Sequence, residues 1–136
     1  MCKITIIAAK ETGYFDFELG YVTEENYWEQ VCMAFNVGRL VLYDTKEAIT
    51  EVSGSKVFLE AAKRAREIGK KPIYLKDFVH PNDAVYVFGR TGNNNVSLIE
   101  KNDVLLSVEQ ANDKGDMFAL TMASIVLRDR FLKYDN

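Results

Sequence analysis

Five sets of residues in this chain have types and spacing that bear on chemistry. Gly89 and Gly92 follow the apolar run AVYVF and sit in GRTGNNN. Glycine lets backbone approach a ligand closely, or allows a positive φ in a turn. The spacing is not G-x-G-x-x-G, and no Gly-Lys-Ser/Thr of a phosphate loop is present. From spacing alone a plain turn outweighs a ligand loop. His80 is the single histidine and precedes Pro81. No nucleophile lies beside it, so a structural or surface role outweighs general-base catalysis. Asp16, Glu18, Glu24 and Glu25 form no evident catalytic pair. Lys56, Lys63, Arg64, Arg66, Lys70 and Lys71 cluster in sequence and could bind phosphate. Glu60 and Glu67 at helical spacing favour a solvated helix face instead. Tyr14, Phe15, Phe17, Tyr21, Tyr27 and Trp28 could stack on bases, although core or dimer packing is the commoner use of such rings.

The rest of the chain limits what these groups can serve. With 136 residues it fits one domain, 1–136. Apolar residues make up 48% and charged residues 27%, as in ordinary globular proteins. The net charge of −3 gives no global field for nucleic acid, so any such binding needs a local patch. Cys2 and Cys32 have no zinc-like spacing and read as reduced thiols of a cytoplasmic protein; no metal site is expected. Neither a signal peptide nor a membrane-length apolar run is evident.

The elements that must position these residues follow from periodicity. Strands are expected over Lys3–Ala9, Arg39–Tyr43, Pro72–Leu75, Ala84–Phe88 and Asp103–Val108. Thr23 offers an N-cap to a helix over Glu24–Phe35, with Trp28, Val31, Ala34 and Phe35 on its apolar face. A loop or short irregular element covers DTKEAITEVSGS. A second helix is expected from Lys56, burying Phe58, Ala61, Ala62, Ala65 and Ile68 and stopping at Gly69. The last helix, Met117–Tyr134, is apolar nearly all round at its start, so it is expected to be buried on several sides, by its own domain alone or together with a partner chain. Strands alternating with helices predict the α/β class, with a mainly parallel sheet covered on both faces. In such sheets ligands bind beyond the carboxyl ends of the strands.

HPNDAVYVFGRTG (His80–Gly92), DVLLSVEQ (Asp103–Gln110) and MASIVLRDR (Met122–Arg130) together resemble the SPOUT, or trefoil-knot, RNA methyltransferases, in their ribose-methylating branch. Order and spacing agree from Val79 to Arg130; Ala34-Phe35-Asn36-Val37 is similar to the family's Ala-Phe-Gly-Val. The resemblance implies a C-terminal trefoil knot, against the usual rule that connections do not thread, and a homodimer. It implies S-adenosylmethionine as cofactor and tRNA or rRNA as substrate. The cofactor loops fall on Phe88, Gly89, Arg90 and Gly92, on Ser107, Val108 and Gln110, and on Met117.

The family's working residues are largely replaced. Glu24 and Gln30 stand where the first motif has asparagine and arginine, with Asn26 close by. Thr91 or Arg90 takes the place of a glutamate. Glu109 replaces a proline, and Asp116-Met117-Phe118 replaces Ser-Leu-Asn. Arg90, Asn26 and Gln30 are the catalytic candidates. Two rival readings follow: a catalytically inactive knotted dimer that binds RNA or protein, and an unknotted flavodoxin-like nucleotide-binding domain.

Overall fold

The computed structural model describes residues 3–11, 23–89, 95–112, 114–115 and 117–134, with only the backbone at position 96. Six strands, β1 (Ile4–Ala9), β2 (Arg39–Tyr43), β3 (Val57–Leu59), β4 (Ile73–Tyr74), β5 (Ala84–Phe88) and β6 (Val104–Ser107), form one sheet. Its order is β2-β1-β5-β3-β6-β4, and every pairing is parallel. The helices are α1 (Glu24–Ala34), α2 (Glu47–Glu51), α3 (Ala62–Glu67) and α4 (Ala119–Tyr134). The expected α/β architecture with a parallel sheet is therefore the one observed.

Both faces of the sheet are covered, which is why its strands read as continuous apolar runs. On one face Ile4, Ile6, Ala8, Tyr86, Phe88, Leu59 and Leu106 pack with Trp28 and Cys32 of α1 and with Met122, Ala123, Val126 and Leu127 of α4. On the other face Ile7, Ala9, Val87, Phe58 and Tyr43 pack with Ile49, Val52, Leu98 and Ile99. Period-two alternation along β1 assigns Ile6 to the first face and Ile7 to the second.

The structure corrects the reading from Lys56 onward. Val57-Phe58-Leu59 is a strand in the middle of the sheet, paired with β5 on one side and β6 on the other. Its three side chains are all buried. Phe58, Ala61, Ala62 and Ala65 mimic helical spacing, but two strand partners outweigh that periodicity. The helix starts only at Ala62, after Ala61 in extended backbone, and buries Ala62 and Ala65. Ile68, expected in the core, is exposed.

Smaller differences have local causes. α1 buries Glu24, Trp28 and Cys32, whereas Ala34 faces solvent. The polar segment after β2 holds the short helix α2, anchored by buried Ile49. Leu75 leaves the expected third strand for a 3-10 turn over Leu75–Asp77. α4 buries a stripe from Ala119 to Arg130 within its own domain, and in the single chain Ile125, Phe131, Leu132 and Tyr134 stay partly exposed.

Strands β5 and β6 each lie between strands that precede them in sequence, and a repeated device sets their register. Asp83 accepts the backbone N–H of Lys3 at 3.1 Å, while Ala84 donates its N–H to the Lys3 carbonyl at 2.9 Å. Asp103 accepts the N–H of Lys56 at 2.8 Å, while Val104 donates to the Lys56 carbonyl at 2.9 Å. An aspartate just ahead of each strand thus satisfies the first donor of its neighbour.

Candidate functional site

Buried polar side chains gather at the carboxyl edge of the sheet. Glu11, Glu24, Asn95 and Ser107 are buried there, Ser107 as the last residue of β6 and the others beyond the ends of β1 and β5. Burying a polar group is unfavourable unless it is hydrogen-bonded, so each needs a partner. Glu24, the first residue of α1, accepts the backbone N–H of Glu11 at 2.8 Å. Asn95 donates from Nδ2 to the Tyr43 hydroxyl at 2.9 Å, and that hydroxyl lies 3.5 Å from the Phe88 carbonyl oxygen. Ser107 donates its hydroxyl to the Glu60 carbonyl at 2.5 Å, and Glu60 donates its N–H to the Leu106 carbonyl at 3.1 Å. The ends of β2, β5, β3 and β6 are thereby cross-tied.

The residues expected to hold a cofactor lie along this edge. Phe88 is buried at the end of β5, with its ring centroid 6.0 Å from that of Trp28. Gly89 follows, half-buried. Ser107 and Val108 are buried at the end of β6. Gln110 donates from Nε2 to the carbonyls of Asn112 at 3.2 Å and Gly115 at 2.9 Å, shaping the turn that leads to α4. Met117 packs at the margin of the core. Glu109, where the family has proline, accepts the N–H of Lys76 at 3.1 Å. Ala62, Tyr74, Val108, Glu109 and Gln110 line a cleft of about 150 Å³. That is below the about 300–1,000 Å³ of sites that enclose a small molecule. Arg90, Thr91, Gly92, Asp116 and the aromatic stretch Tyr14–Tyr21, with Asp16 and Glu18, lie outside the described residues, as does Cys2.

The other two catalytic candidates, Asn26 and Gln30, are exposed side chains of α1, whose first residue is the buried Glu24. Asn26 belongs to the N-terminal cap of α1. Its Oδ1 accepts from the Thr23 hydroxyl at 2.9 Å and the Thr23 N–H at 3.2 Å, while its own N–H donates to Thr23 Oγ1 at 3.3 Å. This reciprocal capping box satisfies helix-end donors. Gln30 is exposed on α1.

The basic residues divide. Lys56 lies at the amino end of β3, whereas the other five lie on or just after α3. Arg64 pairs with Glu67 at 3.2 Å. Lys63 donates to the Lys114 carbonyl at 3.1 Å, joining α3 to the turn after β6.

A second polar cluster was not legible as such in the sequence. His80 is fully enclosed between Tyr86 of β5 and Asp129 of α4, at 2.7 Å from each. Arg130 donates to the Tyr86 hydroxyl at 3.1 Å, and to the carbonyls of Pro81 at 2.7 Å and Asn82 at 2.8 Å. Lys133 pairs with Asp129 at 2.9 Å and donates to the carbonyls of Leu75 and Phe78. Tyr134 donates to the His80 carbonyl at 2.5 Å. With Arg130 donating to it, the Tyr86 hydroxyl donates to His80 Nδ1, and Nε2–H donates to Asp129.

The order carboxylate, imidazole, hydroxyl has the connectivity of a nucleophilic triad. Tyr86 is fully buried, however, so no substrate reaches its hydroxyl. Burial lowers the His80 pKa, against the opposing pull of the Asp129 hydrogen bond and charge. Burial also raises that of Tyr86, against Arg130. Both shifts keep the ring and the phenol neutral, as this pattern of donors requires. The cluster is a clamp that fastens α4 to residues 75–86. The structural role expected for His80 is thus observed, in the interior and not at the surface.

Comparison with protein-family models gives no match, and comparison with the curated proteins gives none either. What fold and site together define is an all-parallel α/β protein with four buried polar side chains, Glu11, Glu24, Asn95 and Ser107, at the edge where such sheets bind ligands, and a second buried polar cluster around His80. Among the described residues, no group of three or more His, Cys, Asp or Glu side chains is placed to hold a metal ion. No described helix is long and apolar enough to cross a membrane.

Proposed function

We propose that this chain is a divergent SPOUT-like protein of the cytoplasm that binds S-adenosylmethionine at the carboxyl edge and methylates tRNA or rRNA, most simply at a ribose 2′-hydroxyl. The observation that carries the reading is the strand order. β5 lies between β1 and β3, and β6 lies between β3 and β4. This brings the ends of the two strands with the family-like sequences to either side of Leu59-Glu60. A trefoil knot and a homodimer belong to the same proposal. The partly exposed apolar side chains Ile125, Phe131 and Leu132 of α4 are consistent with a second copy.

Phe88, Gly89, Ser107, Val108, Gln110 and Met117 would hold the cofactor, chiefly through backbone groups. Bound there, the cofactor would supply an electrophilic methyl group. The chain's own contribution is a rigid frame. Ser107 ties β6 to Glu60, Gln110 holds the following turn, and Phe88 rests against Trp28. Positioning of this kind accounts for a large share of the barrier reduction in transfer reactions. Lys63, Arg66, Lys70 and Lys71 would meet RNA phosphates.

A second reading, a non-catalytic dimer that binds RNA or protein, is favoured by the capping role of Asn26 and the exposure of Gln30. Calorimetric titration with S-adenosylmethionine and S-adenosylhomocysteine tests the first reading. Micromolar binding that disappears in Gly89→Val supports it. No heat at millimolar ligand rejects it. Binding without methyl transfer to bulk tRNA or rRNA selects the second reading.

A further inference from the structure

A cavity lies at the opposite edge of the sheet, where neither the resemblance nor the proposed function calls for a ligand. It measures about 710 Å³ and crosses the amino ends of β1, β5, β3 and β6. That volume lies within the about 300–1,000 Å³ of small-molecule sites. One side is the turn Ser53–Lys56 and the other is the segment Phe78–Pro81.

Both sides are held in place. Lys56 donates from Nζ to the Gly54 carbonyl at 3.1 Å, and Asp103 grips its backbone N–H. On the far side α4 holds the segment through Lys133 on the Phe78 carbonyl at 2.9 Å and Arg130 on the Pro81 carbonyl at 2.7 Å. The cavity is therefore part of the fold and does not depend on side chains closing over it.

The lining combines two chemistries. Lys3 and Lys56 contribute ammonium groups, and Ser53 and Ser55 contribute hydroxyls. Asp83 is the single carboxylate of the lining, and one of its oxygens is occupied by the Lys3 N–H. In the lining itself two ammonium groups stand against one carboxylate, with the Asp103 carboxylate engaged by the Lys56 and Glu100 backbone N–H groups. Val85 of β5 lies between the strands that carry the two lysines, and Val57, Val104 and Phe78 also line the cavity, with Val79 77% exposed. A bare phosphate would leave this apolar surface wet. A nucleic-acid backbone would require a longer run of cations.

We infer that this amino-edge cavity binds a small organic anion: one carboxylate, sulfonate or phosphate carried on an apolar body. The anion lies between Lys3 and Lys56, and the body covers the valines and Phe78. The inference is independent of the methyltransferase reading.

Anilinonaphthalene sulfonate, which has this chemistry, is the probe. The expected result is saturable binding of one dye per chain, with amide resonances shifting at Lys3, Ser55, Lys56 and Val79. The double variant Lys3→Glu/Lys56→Glu, with both side chains away from the core, should weaken binding by at least about tenfold, equivalent to about 1.4 kcal/mol. The uncharged phenylnaphthylamine should bind the wild type at least about tenfold more weakly. Val79→Glu places a like charge beside the anion and should also weaken binding, which decides the matter if the double variant does not fold. Unchanged affinity in a folded variant, or resonance shifts confined to residues 59–62 and 106–110, would overturn the inference.

Discussion

Asp103 accepts the backbone N–H of Lys56 at 2.8 Å, across the junction where β6 enters beside β3. Its second carboxylate oxygen accepts the N–H of Glu100 at 2.9 Å. Among the described residues Asp83 does half as much, accepting the Lys3 N–H alone, at 3.1 Å and exposed. Removing a partner from a strand-end donor costs about 1–3 kcal/mol where water does not replace it, and less where it does. Asp103→Ala should therefore lower unfolding free energy by about 1–3 kcal/mol, and Asp83→Ala by about 1 kcal/mol or less. Urea titrations of the two variants check the ranking. Equal losses would refute the unequal roles.

Phe58 sits in the central strand and Ile68 lies outside the core. Truncating a buried phenylalanine to alanine costs about 3–5 kcal/mol. An exposed position away from special features changes stability by about 0.5 kcal/mol or less. Phe58→Ala should be severely destabilising and Ile68→Ala nearly neutral. A helix beginning at Lys56 would bury both residues and predict two comparable losses.

His80 ties stability to pH. Its folded pKa lies below the ordinary 6.5 because burial disfavours the charged ring. The unfolded chain therefore takes up a proton first as pH falls. The stability contributed by neutral His80 is intact above about pH 6.5 and is lost below it, by up to about 1.4 kcal/mol for each pH unit until the folded pKa is reached. Asp129 favours the charged ring, whereas Lys133 and Arg130 oppose it. Tyr86 and Tyr134 are the other titratable groups whose rings face it. Thermal melts at pH 7.5 and about pH 5.5 should diverge more in wild type than in His80→Gln, the additional loss being up to about 1.4 kcal/mol. Parallel losses in both proteins would count against the clamp as the acid-sensitive element.

Much of the fold was legible because its signals are local. Ile4–Ala9, Arg39–Tyr43 and Ala84–Phe88 are short apolar runs, and a parallel sheet covered on both faces calls for such runs. Thr23 announced the first helix because its hydroxyl reaches a donor three residues on. Val57–Leu59 escaped for the opposite reason. Its alanine-rich continuation fits helical spacing, and only partners at Tyr86–Phe88 and Val104–Leu106 make it a strand.

The edges of the sheet divide in the same way. The sequence by itself determined the α/β class, and parallel strands imply a ligand edge at their carboxyl ends. It carried no sign that Glu11, Glu24, Asn95 and Ser107 are all buried at that edge. Nor did it separate Lys56 from the basic helix and place it in the lining of the same cavity as Lys3, 53 positions earlier. His80, Tyr86, Asp129 and Arg130 were each visible, all four in segments singled out on other grounds. Their meeting depends on α4 packing against β5, a contact between segments more than 40 positions apart. Periodicity and capping act over one or two turns of chain, so the sequence reports them directly. Strand order and the partners of buried polar groups arise from packing between distant segments, and only the tertiary structure decides them.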